Sequence, residues 1–167
     1  MNGLDSDLRE LGTKNRRFEG FLRVYTGRKN KNDMLHYETT FPVRYYETDQ
    51  MGVVHHSNYI RYFECARNTM MDAWGYSIVD CEKDGFLIPI IDVRCRYKFP
   101  ARMGDTLTAI AEIERVPLAK LFVNQRVVNQ DGILCAEGEV VLGFLDAATF
   151  RPVRCPEKIV KIIEGRL

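Results

Sequence analysis

One stretch of this chain carries a long helical period, and most of the sequence beyond it alternates with the period of a strand. Between Asn58 and Trp74, the residues Tyr59, Tyr62, Phe63, Ala66, Met70, Ala73 and Trp74 fall three and four apart. That spacing places them on one face of a helix of roughly four to five turns. Gly75 supplies a stop, and Ser57 offers a side-chain oxygen for the N-cap. A lone helix with one apolar stripe must bury it against another layer, so the flanking segments have to supply a sheet.

They do so in pattern. Phe41, Val43 and Tyr45 alternate with Thr40, Pro42 and Arg44, which predicts a first strand over residues 36–46. Pro42 has no N–H to donate, so its N side belongs at an edge or a bulge. Beyond the helix, Ile91, Val93, Cys95, Tyr97 and Phe99 alternate with Asp92, Arg94, Arg96 and Lys98, giving one core face and one charged face. Leu107 to Ile113 and Leu121 to Val128 predict two more strands, and Asp131-Gly132 is a hairpin signal leading into Leu134 to Phe144. Pro156 to Glu164 reads as a short final helix. The chain is therefore expected to be α+β, with an antiparallel sheet of about five strands around one helix.

A length of 167 residues suits one core. Residues 1–33 hold eight Lys or Arg against five Asp or Glu, a net 8 − 5 = +3, and end in the polar run Lys29-Asn30-Lys31-Asn32-Asp33. This predicts a basic N-terminal extension over 1–33 and a folded domain over 34–167. The net charge of +1 gives no overall drive toward nucleic acid or an anionic membrane, so no nucleic-acid partner is expected. No run approaches the roughly 18 apolar residues of a membrane span. The start MNGLDSDLRELG lacks the features of a secretory signal, which makes the expected location cytoplasmic. Five cysteines at 65, 81, 95, 135 and 155 form no C-x-x-C pair and read as reduced, mostly buried thiols.

Titratable groups crowd into YYETDQMGVVHHSNYIRYFECAR, residues 45–67. Asp49 precedes a glycine turn and then the helix start, where free N–H groups and the positive end of the helix dipole lie. On its residues alone, Asp49 is either a turn-forming Asx residue or a reacting carboxylate. His55 and His56 are adjacent, with no further Cys or acid at ligand spacing, so no metal site is expected. His56 serves either through its imidazole, orienting Asp49 or assisting proton transfer, or through its backbone alone. Glu64 stands three residues before Arg67, as an intrahelical ion pair would.

The run Tyr45-Tyr46-Glu47-Thr48-Asp49-Gln50-Met51-Gly52-Val53-Val54, with His56-Ser57-Asn58-Tyr59 and Phe63-Glu64-Cys65-Ala66-Arg67, resembles the signature of the hotdog-fold acyl-CoA thioesterases of the 4-hydroxybenzoyl-CoA thioesterase type. Tyr97 to Asp105, with Pro100-Ala101 at its centre, and Asp146 with Arg151-Pro152 are similar to later segments of that family. The resemblance covers residues 36–157. It departs at His55, where the family often has an aromatic residue, and at Gln50-Met51, where it has small residues or proline.

The resemblance implies a hotdog fold, in which a curved antiparallel sheet wraps one long central helix. It implies an acyl-CoA thioesterase that needs no metal or redox cofactor, with Asp49 as catalytic carboxylate and the His56 N–H as the donor that polarises the thioester carbonyl. Glu64 is a reserve acid, since another hotdog branch uses a helix glutamate. Asn58 and Tyr59 are expected at the helix start and pocket wall. Lys98 and Arg102 are expected near one groove, binding coenzyme A phosphates, with Arg94, Arg96 and Lys120 as further candidates. Expected partners are an acyl-CoA, or an acyl-carrier-protein thioester, and further copies of the chain, as a dimer or a homotetramer built from dimers. A hotdog hydratase and a noncatalytic acyl-CoA-binding module are the alternative readings.

Overall fold

The structure, a computed structural model, describes residues 34–167; the basic extension expected at 1–33 lies outside the described residues. Five strands form one antiparallel sheet: β1 (Leu35–Pro42), β3 (Ile90–Tyr97), β4 (Thr106–Ile113), β5 (Leu121–Val128) and β6 (Leu134–Leu142). Their spatial order is β1-β4-β5-β6-β3. The long helix α1 (His56–Ala73) lies against the sheet, with its closest packing on β1 and β4.

The apolar stripe is what buries. Tyr59, Tyr62, Phe63, Ala66, Met70 and Met71 on α1 meet the inward residues Tyr37, Leu107, Ala109, Ala111, Val123, Val127 and Val140. Each large side chain so buried stabilises the fold by about 1.5–3 kcal/mol. Strand alternation selects the inward set: on β5, Leu121, Val123 and Val127 are buried while Arg126 is exposed. The outer face carries charges in opposed columns, with Arg94 and Arg96 of β3 opposite Glu139 and Glu137 of β6, and Arg126 of β5 opposite Glu137.

Several expectations change. The first strand ends at Pro42, because the chain turns into a short 3₁₀ segment, Tyr45–Glu47, closed by Arg44 N–H donating to the Glu47 carboxylate at 2.7 Å. Pro42 does lie on an edge strand. The N-cap of α1 is His55 rather than Ser57, which becomes a helical residue whose N–H faces the His55 ring. Helix α2 (Ile78–Lys83) and the small sheet of β2 (Phe86–Leu87) with β7 (Leu145–Asp146) were not in the predicted set; α3 (Glu157–Glu164) was. On β3 the supposed core face is largely open: Ile91 and Tyr97 are exposed, and only Val93 and Cys95 are half-buried. The reason is position, since among the described residues β3 ends the sheet and pairs with β6 alone. Arg67 makes no ion pair with Glu64; it is buried and donates to Gln125 Oε1 at 2.9 Å, while Gln125 donates to the Phe63 carbonyl at 2.6 Å. Of the cysteines, 81, 135 and 155 are buried and 65 is exposed; burial pushes the Cys155 thiol up to about 12.

Candidate active site

The segment between the 3₁₀ turn and α1 is held by its own backbone. Thr48 and Val54 pair across it, the Asp49 N–H donates to the Val53 carbonyl at 2.9 Å, and the Gly52 N–H donates to the Asp49 carbonyl at 2.9 Å. Gly52 sits at φ +70°, a backbone region that suits glycine. The loop is strapped to the chain after β3: Val54 N–H donates to the Ala101 carbonyl at 2.8 Å, and Val53 bridges to Arg102. Asn58 is a latch. It is buried, and its side-chain amide donates to the Glu47 carbonyl at 2.7 Å, the same oxygen that receives the His55 N–H at 2.9 Å.

Asp49 shows the Asx-turn geometry, with Oδ1 accepting from the Met51 N–H at 2.8 Å. Its other carboxylate oxygen has no hydrogen-bond partner among the described residues. Structure and reactivity are therefore compatible in one side chain, because one oxygen fixes the group and the other is open. Asp49 borders a hollow of about 280 Å³ that it shares with Val53, His56, Tyr59, Tyr97 and Phe99.

His56 begins α1, and its N–H has no hydrogen-bond partner among the described residues. A free N–H at a helix N-terminus carries the positive end of the helix dipole. The His56 carbonyl is also held, by the Tyr97 hydroxyl donating to it at 3.2 Å. The Tyr97 ring stands edge-on to both His56, 6.4 Å away, and Tyr59, 5.4 Å away. Tyr59 is buried and accepts from the Ala101 N–H at 3.3 Å; burial raises its phenol pKa, keeping it neutral. No hydrogen bond joins the His56 ring to Asp49 among the described residues.

The expected phosphate-binding cations are not brought together. Lys98 borders the Asp49 hollow but pairs with Glu137 at 2.9 Å. Arg102 lies on the other side of Asp49, in an open groove of about 900 Å³ with Tyr45, Tyr46, Gln50 and Met103. Lys98 and Arg102 therefore border different hollows, not the one groove expected. Arg94 and Arg96 face a third hollow on the outer sheet face, and Lys120 borders none of these three. Glu64 is exposed on α1 and borders none of them either. Tyr97 was not among the site residues expected from sequence, although its place two residues before the Phe99-Pro100 strand exit marked it as a residue at a strand mouth.

Comparison with known proteins places the chain in a family. Residues 43–163 match the thioesterase-like superfamily. The chain is 35% identical over 124 residues to the acyl-CoA thioester hydrolase YbgC of Escherichia coli, covering 72% of this chain and 91% of that one. It is 30% identical over 126 residues to the chloroplastic acyl-acyl carrier protein thioesterase ATL3 of Arabidopsis thaliana, covering 74% of this chain and 65% of that one. Among solved structures, a DHNA-CoA thioesterase from Staphylococcus aureus superposes with a TM-score of 0.68 at 30% identity, over 71% of this chain and 80% of the other. With its helix enclosed by a five-stranded antiparallel sheet, and with a match running from the edge of β1 into α3, the chain belongs to the thioesterase-like superfamily and has the hotdog fold.

Proposed function

We propose that the protein is an acyl-CoA thioesterase, converting R–CO–S–CoA and water to a free acid and the thiol. The observation that carries this reading is that His56, whose N–H at the start of α1 has no hydrogen-bond partner among the described residues, lines the same hollow as Asp49, whose carboxylate keeps one oxygen open among those residues. Hydrolysis places negative charge on the thioester oxygen, and a preorganised donor at that oxygen typically lowers the barrier by about 3–4 kcal/mol. Asp49 supplies the other half, as a nucleophile that forms a mixed anhydride which water then cleaves to the free acid and the restored carboxylate, or as a base that takes a proton from the attacking water and returns it to solvent. Sulfur leaves as the coenzyme A thiolate and is protonated by solvent. An acyl-carrier-protein thioester presents the same reacting group.

The working unit is a dimer or a dimer of dimers. Among the described residues the β3 edge is open, and Ile90, Ile91 and Tyr97 on it with Phe99 just beyond are 45%, 52%, 51% and 46% exposed, apolar surface that a second copy pairing edge to edge would cover. No helix among the described residues is long and apolar enough to cross a membrane, and a cytoplasmic location fits that.

The test is a hydrolysis screen over acyl-CoA and acyl-carrier-protein thioesters with the intact chain and Asp49→Asn. Asparagine still accepts from the Met51 N–H, so the turn persists. Turnover should fall by at least about a hundredfold. Near-native turnover in the variant would overturn the role of Asp49 and move attention to Glu64.

A further inference from the structure

The N-cap of α1 is an imidazole. His55 has φ −60° and ψ 135°, outside the helix, and its Nδ1 faces both the Ser57 N–H at 3.4 Å and the Ser57 hydroxyl at 2.9 Å. A backbone N–H can only donate, so the nitrogen facing it must present a lone pair. The Ser57 hydroxyl can donate to that nitrogen or accept from it, so the cap itself is the contact that calls for a lone pair on Nδ1 and a proton on Nε2. Helix N-caps are usually Ser, Thr, Asp or Asn, whose oxygens accept without a change of charge. Here the capping role falls to a group that loses its acceptor on protonation.

The capped N–H belongs to Ser57, the residue after the proposed oxyanion donor His56. The His55 and His56 imidazoles meet in a tilted contact, with centroids 4.1 Å apart and planes 37° from parallel. The His55 peptide is tied on both sides, its N–H to the Glu47 carbonyl and its carbonyl to the Asn58 N–H, each at 2.9 Å. Ring and backbone thus set the first turn of α1 together.

We propose that His55 is a positioning residue for thioester hydrolysis: its neutral imidazole caps α1 and holds the His56 N–H toward the Asp49 hollow, and protonation of Nδ1 releases that hold. The inference rests on the reading of the His56 N–H as the oxyanion donor. Protonation turns Nδ1 from acceptor to donor, leaving the Ser57 N–H without its partner. It also sets a cation at the positive end of the helix dipole, beside a second imidazole.

The charged groups around the cap make their own contacts, save the second Asp49 oxygen, which has no hydrogen-bond partner among the described residues. The Glu47 carboxylate on the 3₁₀ turn is engaged by the Arg44 N–H and guanidinium, and the Asp49 Oδ1 by Met51. On the β3 side, the Tyr97 hydroxyl is spent on the His56 carbonyl, and Lys98 pairs with Glu137. On α1, Arg61 donates to Asn58.

The experiment compares the full chain with His55→Asn and His55→Ala in an acyl-CoA hydrolysis assay from pH 5 to 8, with Asp49→Asn alongside. Asparagine caps without titrating, so His55→Asn should hold turnover within about threefold of the unmodified chain at pH 8 and lose part of the acid-side decline. His55→Ala should lose at least about fivefold in kcat across the range, with KM little changed. An acid limb unchanged in His55→Asn, or full kcat in His55→Ala, would overturn the proposal. Nitrogen-15 shifts of the His55 ring in the unmodified chain provide a readout independent of activity. A proton on Nε2 at pH 8, with the Ser57 amide moving as the ring titrates, is expected, whereas a proton on Nδ1 at pH 8 overturns the cap. If Asp49→Asn keeps its activity while the ring behaves as described, the cap stands and the assignment of the reacting carboxylate falls.

Discussion

Tyr97, at the last position of β3, donates its hydroxyl hydrogen to the main-chain carbonyl of His56 at 3.2 Å. A sheet edge thereby grips the first peptide of α1. Removing only the hydroxyl, in Tyr97→Phe, leaves the ring contacts with Tyr59 and His56 and frees that peptide. We expect kcat to drop about three- to tenfold, with KM within about twofold and stability lowered by less than about 1 kcal/mol. Steady-state kinetics with a denaturant melt check this, and a change confined to KM would place Tyr97 in substrate contact instead.

Lys98 and Arg102 occupy opposite sides of Asp49, and only Lys98 has an ion-pair partner among the described residues, Glu137. Arg102 is the better placed to meet a phosphate without first breaking a contact. Arg102→Ala should raise KM for an acyl-CoA by about three- to tenfold with kcat little changed, and Lys98→Ala should raise it less. A pantetheine thioester lacking the nucleotide should show neither effect. Equal losses on both substrates would assign these residues to the fold.

His36 on β1 bridges two acids, with Nδ1 2.9 Å from Glu112 and Nε2 3.3 Å from Glu38. The Glu112 bond raises the His36 pKa above its ordinary 6.5 against opposing desolvation, with Glu38 adding to the rise. Burial works against the Glu112 carboxylate, but bonds from His36 and Arg126 hold it below its ordinary 4.5. A raised imidazole stabilises the fold fully below its unfolded pKa and stops doing so as pH climbs through the folded one; the lowered carboxyl does the reverse as pH falls. The stability difference between the unmodified chain and His36→Gln should therefore peak between pH 4.5 and 6.5, at about 1 kcal/mol, and shrink on either side. Urea titrations across pH test this, and a difference that stays flat up to pH 9 would sink it.

Gly138 of β6 stands opposite Cys95 of β3. A methyl group there would run into the Arg94 carbonyl oxygen and stand 3.1 Å from the Phe63 ring. Backbone cannot yield as a flexible side chain would, so Gly138→Ala should cost about 3 kcal/mol or more and loosen β3 from β6. An unfolding midpoint unchanged in urea would show that the strands can part at this point without penalty.

The stripe of α1 was legible because every member is apolar and the period is unambiguous; Tyr59, Tyr62, Phe63, Ala66, Met70 and Trp74 are all buried. The five main strands and the Asp131-Gly132 turn were legible for the same reason, a pattern of period two with punctuation. What alternation cannot express is a strand's rank within the sheet, so the openness of Ile91 and Tyr97 was hidden. The cap residue was not legible, because Ser57 has the usual chemistry while the backbone angles that select His55 are set by contacts with Glu47, eight residues earlier. Helix α2 is only six residues long, too short for an apolar period to show, and its start is marked by the reciprocal Ser77 and Asp80 capping box. The site motif pointed to Asp49 and His56 by resemblance, whereas Tyr97 joins them only through the fold, forty-one positions along the chain.

The strand order β1-β4-β5-β6-β3 has a kinetic consequence. The three central strands are consecutive in sequence and can zip as a meander through short loops, whereas both outer strands come from earlier in the chain and must return across α1 to find their partners. Closing those long loops costs entropy that only the finished sheet recovers, so β1 and β3 dock late in folding and open first in the native state. Amide exchange should accordingly be slowest in β4, β5 and β6. Tyr97 ends one of the late strands, so the grip on His56 is among the last contacts made, and the chain becomes competent for chemistry only once its sheet is complete.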